Sequence, residues 1–138
     1  MKICEWIPEY TVGIHVLDEH HQELFEILNT LFSLMADGSE DKPILRVLRE
    51  LMDYTHYHFE EEEKMMVKMS YPDLDAHRKS HQKLIQLMKD YYAEASQEGM
   101  AIFVAVKVAN VGLEWLKNHI LKEDHLYYVY MKKQNFQF

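Results

Sequence analysis

Between His58 and His81 the chain puts metal-ligand side chains where an amphipathic helix keeps apolar ones. His58-Phe-Glu-Glu-Glu62 spaces a histidine and a carboxylate by four residues, and His77-Arg-Lys-Ser-His81 repeats that spacing with two histidines. On an α-helix, residues four apart lie one turn above each other on the same face. Each pair can grip a metal from one rigid helix, provided the rest of the chain supplies further ligands and a dry place for them.

The flanking sequence reads as four helices. Asp18 is a candidate cap for a first helix running to Asp37-Gly38, with Leu17, His21, Leu24, Leu28, Leu31 and Met35 as its inner stripe. After the loop Gly38-Ser-Glu-Asp41, Pro43 suits the first turn of a second helix that runs to about Met69. Its stripe is Leu48, Leu51, Thr55, His58, Glu62, Met65 and Met69. Ser70-Tyr-Pro-Asp73 breaks the pattern, because Pro72 disfavours helical geometry at Tyr71. A third helix from Leu74 to Gly99 turns His77, His81, Leu84, Met88, Tyr91 and Ala95 inward. A fourth, from Ala101 to Lys132, does the same with Ala105, Ala109, Leu116, Ile120 and Tyr127, while His119 and Asp124 flank that line on opposite sides.

Four long helices with short connections predict an all-α, up-down-up-down four-helix bundle over residues 18–132. Residues 1–17 form an irregular N-terminal arm anchored by Trp6 and Tyr10, and the 138 residues make one domain. A formal net charge of −8 excludes the basic footprint of a nucleic-acid binder. The single cysteine, Cys4, rules out an internal disulfide. No apolar run is long enough to span a bilayer, so the expectation is a soluble cytoplasmic protein.

Seven ligand-type residues fall on or beside core registers: His21, His58, Glu62, His77, His81, His119 and Asp124. Each helix contributes at least one, and in an up-down bundle their heights place all seven in one layer towards one end. Lone histidines on apolar faces are usually satisfied core residues. Buried Glu62 and Asp124 are harder to explain that way, since unpaired they cost several kcal/mol each and no Lys or Arg faces them. Metal resolves the conflict. Seven donors exceed one first-row ion, so two metals are implied, with the carboxylates as bridges. The set lacks thiolate and suits Fe, Mn, Zn or Cu. On an ideal helix His119 and Asp124 stand roughly 140° apart; both can still point into a wide inner face, one from each flank, and a local wide turn can narrow the gap. Glu60, Glu61 and Glu63 read as a solvated acidic face, and His15, His20, His56 and His125 as exposed residues or outer partners of the ligands.

The ordered set resembles the hemerythrin family, in particular its single-domain bacterial members. The resemblance rests on Trp6, Asp18-Glu-His-His21-Gln-Glu-Leu24, His58-x-x-x-Glu62, Tyr71-Pro72, His77-x-x-x-His81 and Trp115-Leu-Lys-Asn-His119-Ile-Leu-Lys-Glu-Asp124. His20 departs from the family pattern, which often has Gln there. The resemblance implies a non-haem di-iron cofactor that binds O2 reversibly for storage, transport or delivery. His77, His81 and His119 would hold one iron and His21 and His58 the other, with one position open for O2. Glu62 and Asp124 would bridge, beside an oxo or hydroxo group. Phe25, Phe59, Leu116 and Ile120 are candidates for lining a dry O2 pocket. The implied protein is a carrier rather than an enzyme, with a weak peroxidase-type side activity and a protein acceptor of O2 as further expectations. The competing readings are an oxygen or iron sensor, a di-iron peroxidase or oxidase, and a purely structural metal bundle.

Overall fold

The structure, a computed structural model, describes residues 5–11 and 13–134. Residues 1–4 and Val12 of the predicted arm, Cys4 among them, lie outside the described residues.

A short 3-10 turn, Pro8–Tyr10, precedes α1 (His15–Ala36), α2 (Asp41–Lys68), α3 (Leu74–Ala95) and α4 (Ala101–Asn118). The last helix continues without a break through a π-helical segment, His119–Asp124, into α5 (His125–Lys133). Neighbouring helices pack antiparallel, α1 on α2, α2 on α3, α3 on α4, and α4 back on α1. The architecture is the up-down-up-down bundle.

The turns follow from local chemistry. At the end of α1, Gly38 takes the left-handed conformation (φ +65°), its N–H donates to the Met35 carbonyl, and the Ser39 N–H donates to the Leu34 carbonyl. This closes the orphan carbonyls of the last turn. Ser70 plays the same part after α2 at φ +50°, with the Tyr71 N–H donating to the Met66 carbonyl. The third helix ends at Ala95, four residues before Gly99, because Ser96 and Gln97 already turn back onto Tyr92 and Glu94.

Asp18 does not cap α1. The helix starts three residues earlier, at His15, after Ile14, which has no capping side chain. The Asp18 carboxylate instead reaches back and accepts the Gly13 N–H at 3.2 Å, supplying from inside the first turn what a capping residue supplies from in front. Gly13 itself has φ +106°, and a Cβ there would collide with ring atoms Cε2 and Cζ of Tyr128. Gly13→Ala therefore combines backbone strain with a clash against α5. It is expected to cost about 1–3 kcal/mol, read as a lower urea midpoint at unchanged m-value.

The predicted stripes account for most of the core. Leu17, Leu24, Leu28, Leu31, Leu48, Leu51, Leu84, Ala105, Ala109, Leu116, Ile120 and Tyr127 are all buried. In α2, Met66 is fully buried while Met65, the predicted stripe member, is only partly so. Both lie within the wide inner face one turn beyond Glu62. The arm lies on the bundle through Trp6, whose ring sits 5.6 Å from Tyr10, 5.6 Å from Phe25 and 6.4 Å from His21.

Candidate metal centre

Every one of the seven polar residues that interrupt the stripes is buried. In the structure they form two groups whose ligand atoms lie within 4.8 Å of one another: Glu62, His77, His81 and His119 in one, His21, His58, Glu62 and Asp124 in the other. His81 Nε2 and His119 Nε2 are 3.1 Å apart, and His21 Nε2 and His58 Nε2 are 3.0 Å apart.

The two carboxylates join the groups by dividing their oxygens. Glu62 Oε1 lies 2.5 Å from His77 Nε2, 3.2 Å from His81 Nε2 and 3.4 Å from His119 Nε2, whereas Oε2 lies 3.1 Å from His58 Nε2. Asp124 Oδ1 lies 3.0 Å from His119 Nε2 and 3.4 Å from His77 Nε2, whereas Oδ2 lies 3.1 Å from His21 Nε2. Each carboxylate thus turns one oxygen towards histidines of the His77, His81, His119 group and the other towards a histidine of the His21, His58 pair.

Asp124 gets there through the π segment. A regular α-helix would separate it from His119 by roughly 140°. The wider turn of His119–Asp124 brings both side chains into the layer, and both are buried.

The donor set fits a pair of metals better than it fits itself. Glu62 Oε2 and both Asp124 oxygens are buried without a hydrogen bond, although imidazole nitrogens stand close by. Pairs of nitrogens 3.0–3.1 Å apart present lone pairs to the same space. Imidazole and carboxylate without thiolate is a borderline-to-hard set suited to first-row divalent ions. The result is a buried binuclear arrangement of histidines and shared carboxylates.

Electrostatics shows what the same groups do when protons take the place of metal. Burial alone would raise the Glu62 carboxyl, but contacts with His119, His58, His77 and His81 hold it well below its ordinary value. Asp124 is raised by burial and by Glu62, and His119 and His21 outweigh both and keep it low. Burial opposes charge on His77, yet Asp124 and Glu62 raise it to about 9. His119 is also held well above 6.5, against burial, chiefly by Asp124. His58 goes the other way, pushed by burial down to about 4. The compensating positive charge thus sits on His77 and His119. Metal ligation needs their lone pairs, so loading the metal-free protein at pH 7.5 is expected to release about two protons per chain. Calorimetry in buffers of different ionisation enthalpy reads that number, and a buffer-independent heat contradicts it.

Outer partners surround the ligands; one of them, Glu63, corrects the sequence reading, and another, Glu123, was missed by it. Glu63 is not part of a solvated acidic face. It is half-buried and its Oε2 lies 3.3 Å from His81 Nδ1, while Arg78 Nε donates to Oε1 at 3.1 Å. Glu123 Oε2 lies 2.9 Å from His119 Nδ1, and Ser80 Oγ donates to its Oε1 at 3.2 Å. The four-residue step from His119 to Glu123 was available as a signal. Glu63 has none, since it meets His81 only across two helices. His20 is buried, with Nδ1 3.0 Å from His58 Nδ1. His15 and His56 are exposed and pair with Glu19 and Glu60.

Aromatic rings cover the layer. Phe59 stacks on His81 at 3.7 Å, and Trp115 stacks on His119 at 4.4 Å. Above the layer lies an apolar cavity of about 40 Å³. Its lining includes Leu24, Thr55, Leu84 and Leu116, each three residues from His21, His58, His81 and His119 respectively. The Thr55 hydroxyl is occupied by the Leu51 carbonyl at 2.7 Å. Of the four residues considered for an O2 pocket, Leu116 lines this cavity. Phe25 packs beneath Trp6 and Tyr10, Phe59 covers His81, and Ile120 is buried in the core. Among the described residues no helix is long and apolar enough to cross a membrane.

Comparison with known proteins agrees with this geometry. The family described as "Hemerythrin HHE cation binding domain" matches residues 12–130. A bacteriohemerythrin of Methylococcus capsulatus is 31% identical over 132 residues, 92% of this chain and 95% of that protein. A myohemerythrin of Theromyzon tessulatum is 32% identical over 123 residues, 89% of each chain. A crystal structure of a hemerythrin leucine-to-alanine variant superposes with a TM-score of 0.78 at 28% identity, covering 92% of this chain and 95% of that one. With a matching family profile across most of its length and a buried pair of His/Glu/Asp clusters at its centre, the chain belongs to the hemerythrin family.

Proposed function

We propose that the protein binds O2 reversibly at a two-iron centre, as a carrier or store rather than an enzyme. In this reading His77, His81 and His119 would hold one iron and His21 and His58 the other, with Glu62 and Asp124 shared between them. The observation that carries it is the three-to-two division of the histidines around shared carboxylates. With the carboxylates common to both positions, the two-histidine side offers one protein donor fewer, which would leave its iron a place for a small ligand.

Iron bound there would supply the electrons for reversible O2 binding. The residues of this chain favour release. Five neutral imidazoles and only two direct carboxylates donate little negative charge, which disfavours lasting high oxidation states. The apolar lining of the cavity beside the layer disfavours water there, and O2 is small and apolar enough to use it. The relatives named bacteriohemerythrin and myohemerythrin support the same reading.

The test is optical. The reduced, iron-loaded protein is expected to gain a visible absorption band in air and lose it when oxygen is pumped away, over repeated cycles. One-way conversion to a ferric form overturns the carrier reading. Turnover of an added reducing substrate far above that of free iron would make the protein an enzyme instead.

A further inference from the structure

Metal-binding histidines need a partner for their second nitrogen, because that partner fixes which nitrogen keeps the proton. The structure supplies such partners unevenly. Behind the three-histidine group stand two carboxylates, Glu63 at His81 Nδ1 and Glu123 at His119 Nδ1. Behind the two-histidine group, His58 Nδ1 meets another imidazole, His20 Nδ1, at 3.0 Å and an interplanar angle of 88°.

The His58 ring is oriented by its surroundings. Its Nε2 faces His21 Nε2 at 3.0 Å and Glu62 Oε2 at 3.1 Å, so that nitrogen belongs to the metal layer. A neutral imidazole with its lone pair at Nε2 carries its proton at Nδ1. His58 therefore donates and His20 accepts. His20 then keeps its own proton on Nε2. Its ring is fixed from the side by Tyr54, at 5.9 Å edge-on, and Tyr57, at 5.2 Å.

We propose that His20 is a positioning residue of the two-histidine metal position. It accepts the Nδ1–H of His58, locks the tautomer that presents Nε2 to the metal, and does so without adding negative charge. A carboxylate partner makes an imidazole a stronger donor and stabilises the higher oxidation state of its metal. Glu63 and Glu123 do this for the three-histidine position, while His20 leaves the two-histidine position less electron-rich. The inference rests on the two-metal reading of the site and not on O2 binding.

The experiment measures Fe²⁺ retention by the full chain under anaerobic chelator competition, for wild type, His20→Leu, His20→Gln and His20→Glu. Wild type is expected to hold two Fe²⁺. Failure there is failure of the two-metal reading, visible before any variant is compared, and it removes this proposal too. His20→Leu is expected to weaken the more labile Fe²⁺ on the order of 10- to 100-fold, and His20→Gln, which keeps an acceptor, to restore it to within about threefold. His20→Glu is expected to retain both ions and lower the midpoint potential of the pair. Unchanged retention in His20→Leu overturns the proposal. So does a loss in His20→Gln as large as in His20→Leu, since ring volume alone would then explain the effect. An unchanged potential in His20→Glu overturns the charge argument. Should His20→Leu fail to fold, the wild type still decides. Loaded with Zn²⁺, its proton–nitrogen correlation spectrum is expected to show His58 protonated at Nδ1 and His20 at Nε2, and the reverse assignment at His20 refutes the proposal.

Discussion

Glu62→Ala is expected to abolish paired metal binding. Glu62 is the one residue present in both ligand groups, with Oε1 facing His77, His81 and His119 and Oε2 facing His58. Removing it takes an anionic donor from each position at once and leaves both to compete for Asp124. Loss of a direct ligand exceeds the 10- to 100-fold cost typical of outer partners, so affinity for each ion falls by more than about 100-fold. Metal analysis after gel filtration is expected to find less than one ion per chain. Folding survives better than binding, because His77 and His119 lose a counter-charge and relax towards the neutral imidazole. A variant that still holds two ions would show that Glu62 is not shared between them.

Stripping the metals is the second large effect. Without them, the seven buried groups rely on one another, with Glu62 and Asp124 balanced by protonated His77 and His119. A ligand present at a thousand times its dissociation constant adds about 4 kcal/mol to stability. In a chain of this size each kcal/mol is worth roughly 3–4 °C. Chelation is therefore expected to lower Tm by at least about 12 °C.

The stripped protein also acquires a pH dependence. The folded His77 is raised to about 9 from 6.5, so its contribution is complete below 6.5 and is lost as pH rises through about 9. His119 shifts the same way. The carboxylates are depressed, so theirs is present above their ordinary values near ~4 and is lost as pH falls below them. His58, depressed to about 4, subtracts stability as pH falls from 6.5 towards that value. Tm of the stripped form is expected to fall on raising pH from 7 to 10, while the loaded form, whose ligating histidines are already neutral, stays level. Parallel curves for the two forms contradict this account.

Much of this was legible in the chain because the bundle is built from local patterns. The stripes from Leu17 to Met35 and from Ala105 to Tyr127 have a helical period that needs no knowledge of the neighbours. The five-residue step from His119 to Asp124 stood out as an irregularity, and the π segment His119–Asp124 is its physical form. The start of α1 was less readable. Ile14 carries no capping oxygen, and Asp18 performs the service backwards, from within the helix to Gly13. Glu63 and His20 were harder still. Each lies off its helix's apolar stripe and gains meaning only through a residue on another helix, His81 for one and His58 for the other. Spacing along the chain reports who shares a face; it does not report who stands behind a ligand.

On the proposed function, one chain holds two irons that together bind one O2. Iron analysis combined with oxygen titration of the reduced protein tests it most directly. The expected result is two irons per chain, one O2 taken up per two irons, and its full recovery when the oxygen pressure is lowered. A single zinc with no iron, or one O2 consumed for every iron without recovery, would contradict it.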